Sequence, residues 1–490
     1  MATATSSKAP ARMLRSLPPG LSRALPAAAV ILLVAAVVWV VYDPWYLNYD
    51  ARYALDWARD ITQGLNPDFT APYAPTPHPL SIALSLLGVP FGHSGDQVIV
   101  WLVVLAFGAL VWLVYRLGAV LFNPWVGVVA ALVVVSRPAM LRDTLLAYQD
   151  IWFEALIVGA VLLEAGRRRR GWPVLSLLAV AGLVRPEGWV LAGLYWLYLW
   201  RDSTPRARVL GAALVAASPV LWCLMDLIVT GDALHSLHGT AALAEVNERR
   251  LGITQSPRWT AQYFAFTLRE PLMLGIPIGA IFAWRYRKRQ VILPLAVAAI
   301  LTVVFAIGPL FGLPLIGRYV RTPSVLIAVL YGLAVFGWML LPRGGRDRRV
   351  WLAVGVVAAL ASVAYIPWHL DLLKGLHTRS VREGSLYSDL RRTGEAPVVR
   401  AAFARCAPLS AGDHRPVPYI RWWLDGKPGS VGTGERHASP MGKLLLEPRR
   451  TFLPRWFYKK NLRIAAPPPP AGYTKLYENR SWRVWRAPGC

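Results

Sequence analysis

Asn48-Tyr49-Asp50-Ala51-Arg52-Tyr53-Ala54 follows directly on the first long apolar run of the chain and opens a polar segment closed by Pro75-Thr76-Pro77-His78-Pro79-Leu80. Its surroundings read as membrane, and ionisable groups set against a bilayer are costly enough to be functional by default. A carboxylate held there can take a proton from a hydroxyl or an amine.

Composition supports the membrane reading. Hydrophobic residues make up 55% of the 490 and charged ones 16%, with a mean hydropathy of +0.41, which excludes an ordinary soluble fold. The apolar runs are long enough to cross a hydrocarbon core of about 30 Å. The first, Ala24 to Tyr42, follows a basic tail (Lys8, Arg12, Arg15, Arg23). It lacks a small-x-small cleavage site before Asp43-Pro44-Trp45 and is long for a signal peptide, so it reads as an anchoring helix. The tail, residues 1–23, is then expected in the cytoplasm and Asp50 outside.

Basic loops carry the alternation onward. Tyr115-Arg116, Arg167-Arg168-Arg169-Arg170, Trp284 to Arg289 and Arg343 to Arg349 belong on the inside. The apolar stretch 172–200 has cytoplasmic signals at both ends and Arg185-Pro186-Glu187-Gly188 in its middle. It therefore reads as a hairpin of two short helices of roughly 12 residues, about 18 Å each. Its turn then lies at membrane depth and is tolerated there by lining a cavity. The sequence predicts an all-α polytopic membrane protein with about eleven transmembrane helices over 24–366 and external loops 43–79, 137–150 and 225–270. No internal repeat is visible, which weakens an inverted-repeat transporter.

From residue 367 to Cys490 the chain is rich in Pro, Arg and Trp and has no spanning run. Tyr473-Thr-Lys-Leu-Tyr and Trp482-Arg-Val-Trp flank Glu478-Asn479-Arg480-Ser481 in a hairpin-like pattern, and helical stretches near 380–392 make this a small extracytoplasmic α+β domain. It holds 22 Lys and Arg against 9 Asp and Glu, half of the whole-chain net charge of +26. Such a surface either hugs the membrane or meets an anionic acceptor, a cell-wall polymer or phospholipid; nucleic acid is not an expected partner. Cys223 reads as packing, while Cys406 and Cys490 both fall outside, where a disulfide is permitted.

The order of motifs resembles that of the GT-C glycosyltransferases, most nearly the group of protein O-mannosyltransferases and the lipid A aminoarabinose transferase. The residues that carry the likeness are Asp50-Ala-Arg-Tyr-Ala, Gly64-x-x-Pro67, Tyr73, His78-Pro79-Leu80 and Tyr148-Gln149-Asp150 leading into a helix. Ala51 stands where the family often has Glu, and Ile151 where it often has Pro. The likeness covers about residues 25–205. It implies a GT-C-like transmembrane catalytic domain, a polyprenyl-phosphate sugar donor, and an envelope glycan or lipid acceptor outside a bacterial inner membrane. The sugar, mannose or arabinofuranose among others, is not specified.

On that resemblance Asp50 is the expected general base and Asp150 a second catalytic carboxylate. Tyr53, Tyr73, His78, Glu154 and Glu187 are expected substrate contacts. A phosphate leaves as an anion, so cations suffice to assist it; Arg318 and Arg321 in Ile316-Gly317-Arg318-Tyr319-Val320-Arg321, and Arg185, present the two-pronged fork that suits phosphate. Plainer roles stand beside these. Asp50 can cap the helix over 54–63 and pair with Arg52; Asp56 and Asp60 read as a solvated face with Arg59; Asp150 can be an N-cap. Glu154 can join Asp150 or pair with Arg142, Arg185 and Glu187 can neutralise one another, and His78 can simply pack. His235 and His238 lack nearby carboxylates, so no metal site is expected there. No cofactor is obligatory, although Asp50, Asp150 and Glu154 offer oxygen ligands to Mn²⁺ or Mg²⁺. The rival class is a polytopic transporter or flippase of a lipid-linked substrate.

Overall fold

The computed structural model describes residues 19–43, 45–249, 252–435, 442–449 and 469–490. Among them, five helices are long and apolar enough to cross a bilayer alone: Ala24–Val41, Val89–Leu121, Pro205–Thr230, Lys288–Phe311 and Gly317–Leu340. Three bent pairs, Pro124–Ser136 with Pro138–Leu145, Ile253–Leu268 with Leu272–Tyr286, and Arg346–Ala364 with Ile366–Glu395, raise this to as many as eight. The other apolar segments anticipated from hydropathy are shorter. They are the 17-residue helix Asp150–Gly166 and the two arms Trp172–Gly182 and Glu187–Leu199 of the expected hairpin, 11 and 13 residues long.

The helix Gly95–Leu121 is the axis of the bundle. Val100, Val103, Val104, Phe107, Leu110 and Val114 along it are wholly buried, and it packs against Pro19–Val41, Pro124–Ser136 and Asp150–Gly166. Peripheral helices face outward with apolar side chains such as Leu32, Leu33, Val40, Ile228 and Val357, the arrangement expected where lipid is the solvent. Close helix contact relies on small residues: a Cβ at Gly279 would overlap the carbonyl of Leu330.

Between the first two spans the chain forms a short polar helix, Tyr49–Thr62. Asn48 caps it, its side chain accepting from the amide of Ala51 at 3.1 Å, so the capping role open to Asp50 falls to Asn48. Tyr53, Ala54, Trp57 and Ala58 from this helix cluster with Phe69 and Ile82.

The C-terminal domain starts on the second helix of the last bent pair, which runs 30 residues from Ile366 to Glu395. It carries a five-stranded mixed sheet in the order β2-β1-β3-β5-β4, with β1 Leu409–Ala411, β2 Val431–Thr433, β3 Leu444–Pro448, β4 Thr474–Glu478 and β5 Trp482–Arg486. β1 runs parallel to both β2 and β3, while β5 is antiparallel to β3 and β4. The β4–β5 hairpin is the one anticipated around Glu478 to Ser481. Cys406 and Cys490 are joined in a disulfide.

This domain docks on the helix Tyr49–Thr62. Arg421 donates to both carboxylate oxygens of Asp60 at 2.5 and 2.7 Å, Arg59 donates to the carbonyls of Trp422 and Gly426, and the Tyr419 hydroxyl donates to the carbonyl of Leu47 at 2.7 Å. Asp56 and Asp60 are therefore not a solvated face. Both are fully buried, because the spacing that puts them on one side of the helix meets a second domain there. Arg52 pairs with Asp96 at 3.0 Å, not with Asp50, under the rings of Tyr419, Trp422 and Trp423.

Candidate active site

The docked domain and the membrane helices enclose a cavity of about 740 Å³. The segment after the first span contributes Tyr49, Asp50, Tyr73 and His78, the helix Pro138–Leu145 contributes Arg142 and Asp143, and the first turns of Gly317–Leu340 contribute Arg318, Tyr319 and Arg321. Glu383, Tyr387, His414 and Arg415 close it from the C-terminal domain.

Arg318 ties its wall together. Its Nη1 lies 3.0 Å from Asp50 Oδ2 and its Nε 3.6 Å from Asp150 Oδ2, so one guanidinium links two carboxylates from separate helices. Its Nε has no hydrogen-bond partner. Asp50 and Arg318 keep 20% and 19% of their side-chain surface exposed, whereas Asp150 keeps 5%. Asp150 is set behind the wall and caps nothing: it receives Arg185 Nη1 at 2.7 Å. Arg185 in turn pairs with Glu187 and lies over the Tyr319 ring at 4.0 Å. The expected mutual neutralisation of Arg185 and Glu187 is thus present, with Asp150 as its third member.

Of the expected substrate contacts, Asp50, Tyr73, His78, Arg318 and Arg321 line the cavity, and Tyr53, Asp150, Glu154, Arg185 and Glu187 do not. Tyr53 is packed in the aromatic cluster between Tyr49 and Trp57. Glu154 meets neither Asp150 nor Arg142; both its oxygens are buried without a hydrogen-bond partner. Arg321 is engaged by Asp143 at 2.9 Å and by Thr267 at 2.7 Å. Arg142, passed over as a mere partner for Glu154, lines the cavity, and among the described residues no carboxylate pairs with it. His78 caps no backbone group. Its Nδ1 is buried and unpartnered and its ring meets Trp222 edge-on; burial pulls it down to about 4, so it is neutral at physiological pH.

The C-terminal contributions escaped the sequence reading. His414 stacks on Tyr73 with ring centroids 4.5 Å apart and planes 8° from parallel. Glu383 accepts from the Tyr46 hydroxyl at 2.6 Å. Their positions depend on domain docking, and nothing local in the sequence announces that. His235 and His238 stay apart from the cavity chemistry, bonding Phe69 O at 3.2 Å and Asp232 at 2.7 Å.

The donor set bears on a divalent ion. The oxygens of Asp50 and Asp150 that an ion would bridge already face Arg318, whose fixed positive charge would repel it, and Glu154 is held away. Mn²⁺ or Mg²⁺ does not fit between these carboxylates as they stand.

No family model and no curated protein matches this sequence. Solved structures do. ArnT from Cupriavidus metallidurans bound to undecaprenyl phosphate matches with a TM-score of 0.59 and 14% identity, over 94% of this chain and 97% of that one. The same protein in its apo state matches with a TM-score of 0.50, 12% identity and coverage of 94% and 98%. The oligosaccharyltransferase of Archaeoglobus fulgidus, in complex with Zn and sulfate, matches with a TM-score of 0.49, 13% identity and coverage of 86% and 68%. The chain shares the fold of the ArnT structure over nearly its whole length, a polytopic, mostly helical architecture with a small C-terminal sheet, as the sequence predicted.

Proposed function

We propose that this protein is an integral membrane glycosyltransferase of the bacterial cell envelope. It moves a sugar from a polyprenyl-phosphate donor to a glycan or lipid acceptor outside the membrane, in an orientation with the N-terminus cytoplasmic and the C-terminal domain external. The observation that carries the reading is the Asp50–Arg318–Asp150 bridge on the wall of a cavity at the outer ends of the spans. The ArnT structure with undecaprenyl phosphate supports the donor class.

The chemistry follows from the charges. Asp50 accepts the proton of the attacking hydroxyl or amine as that atom bonds to the anomeric carbon and the bond to the phosphate oxygen breaks. The polyprenyl phosphate departs as an anion. Arg318, through the Nη side that borders the cavity beside Asp50, and Arg142 are the cations available to it, while Arg321 is held by Asp143 and acts less directly. Asp150 and Arg185 position Arg318 and stay out of contact with the reacting atoms. Asp50 and Asp150 are both engaged by the guanidinium of Arg318, so we assign no obligatory metal.

Asp50→Asn tests the reading. Purified protein in nanodiscs, given decaprenyl-phosphate arabinose, mannose or glucose and an envelope glycan extract, is expected to lose transfer by about 10²–10⁴-fold while still inserting and melting as wild type. Undiminished transfer by Asp50→Asn removes Asp50 as the base. Movement of the lipid-linked sugar across a proteoliposome bilayer without any glycosyl product would favour a flippase.

A further inference from the structure

The cavity has a second polar group of fixed orientation, supplied by the C-terminal domain. Glu435, following β2, accepts from His414 Nδ1 at 2.6 Å and also from the His414 backbone amide at 3.3 Å. That pair fixes the ring and its tautomer, because a carboxylate on Nδ1 puts the proton there and leaves the lone pair on Nε2. The ring is clamped further by Tyr73, stacked on one face, and Tyr49, edge-on at 5.5 Å. Other charged groups near it are Asp413, whose Oδ1 is 3.8 Å from Nδ1, and Arg415, which pairs with Asp413 at 3.2 Å. The His414 contact holds the Glu435 carboxyl below its usual range, so it stays ionised. Among the described residues nothing bonds Nε2, and His414 lines the same cavity as Asp50.

Asp413, His414 and Glu435 also bring three donor atoms within 4.8 Å of one another. They are spent among themselves, however: Nδ1 on Glu435, and Asp413 on the amide and guanidinium of Arg415. A buried histidine oriented by a carboxylate and facing a substrate cavity has a simpler use.

We propose that His414 grips the acceptor. Its Nε2 accepts a hydrogen bond from a hydroxyl or amine of the acceptor adjacent to the one Asp50 deprotonates, and so aligns the nucleophile. Glu435 is a positioning residue acting through His414. The inference rests on the glycosyl-transfer reading and assigns to the C-terminal domain a direct part in recognising a polyhydroxylated acceptor. No bond is made or broken at His414.

The test uses the full chain in nanodiscs with whichever decaprenyl-phosphate sugar of the panel above is transferred, and with a delipidated envelope glycan extract as acceptor probe. His414→Ala is expected to raise the half-saturating extract concentration about tenfold, the loss of one hydrogen bond, with the half-saturating donor concentration unchanged. Glu435→Gln is expected to raise it less. His414→Gln, which keeps an amide near the Nε2 position, is expected to recover part of the acceptor affinity and to melt as wild type. A rise in donor half-saturation, or an unchanged acceptor half-saturation, overturns the assignment. If wild type transfers and Asp50→Asn does not, while the His414 variants behave as wild type, this inference alone falls. If wild type transfers nothing from any donor, the glycosyl-transfer reading falls and takes this inference with it.

Discussion

Two ion-pair networks lie along one 14-residue helix, Tyr49–Thr62, and they differ in a single respect. At its start, Asp50 faces Arg318, and both keep about a fifth of their side-chain surface open. At its end, Asp60 faces Arg421, with 1% and 3% open. The residue types are the same and the distances similar. The open pair borders a cavity and can exchange partners with a substrate; the closed pair has no water or ligand to exchange with. The first is equipped for chemistry, and the second holds a domain in place.

Substitutions at the two ends should therefore separate activity from stability. The largest effect is expected from Asp50→Asn, a loss of transfer of 10²–10⁴-fold with little change in melting. Arg421→Ala should do the reverse. It leaves Asp60 buried without its counter-ion, so a loss of about 3–5 kcal/mol in the docking of the C-terminal domain is expected. Limited proteolysis of nanodisc-embedded protein reads this directly, and protection equal to wild type would show that the closed pair does not hold the domain.

pH gives a third probe. His78 is pulled from 6.5 to about 4 in the folded protein by burial. The folded state thus resists protonation, and the stability from neutral His78 is full above pH 6.5 and lost as pH falls towards 4, by about 3 kcal/mol at most. Asp60 works oppositely. Burial raises it to about 6 against the pull of Arg421, so its contribution is full below about 3.8 and lost as pH rises through 6. The difference in melting between wild type and His78→Gln should shrink steadily from pH 7 to pH 4.5; a constant difference would contradict the burial effect at His78. The smallest effect concerns Arg142, whose replacement by Gln should raise the half-saturating donor concentration about tenfold and leave acceptor half-saturation alone.

The sequence disclosed the open pair and concealed the closed one. Asp50, Arg318 and Arg185 stood out because charged groups next to apolar runs are rare and expensive, and the hairpin at Arg185-Pro186-Glu187 followed from segment length and basic flanks. Asp56, Asp60 and Arg59 carry the spacing of a water-facing helix surface, and only the docking of a segment more than 350 residues away reverses that reading. His414, Glu435 and Glu383 were missed for the same reason: no local pattern marks a residue whose surroundings come from a distant part of the chain. Tyr53 was misplaced by one turn of helix geometry. It lies three residues on from Asp50 in the same helix, turned about 60° round the axis, which is enough to point it into the aromatic cluster and not the cavity.

The helix Ile366–Glu395 does three things at once. Bent 43° from the preceding span, it extends about 45 Å at 1.5 Å per residue. Glu383 and Tyr387 on it form cavity wall. Along the same stretch, Leu386, Asp389 and Thr393 receive hydrogen bonds from Trp482, Ser481 and Asn479 of the terminal hairpin. Continuation of the last bent pair, cavity wall and sheet attachment thus share one helix. A force applied to the hairpin is carried along that helix to the cavity, so anything the C-terminal domain grips is mechanically connected to the wall that holds Asp50 and Arg318.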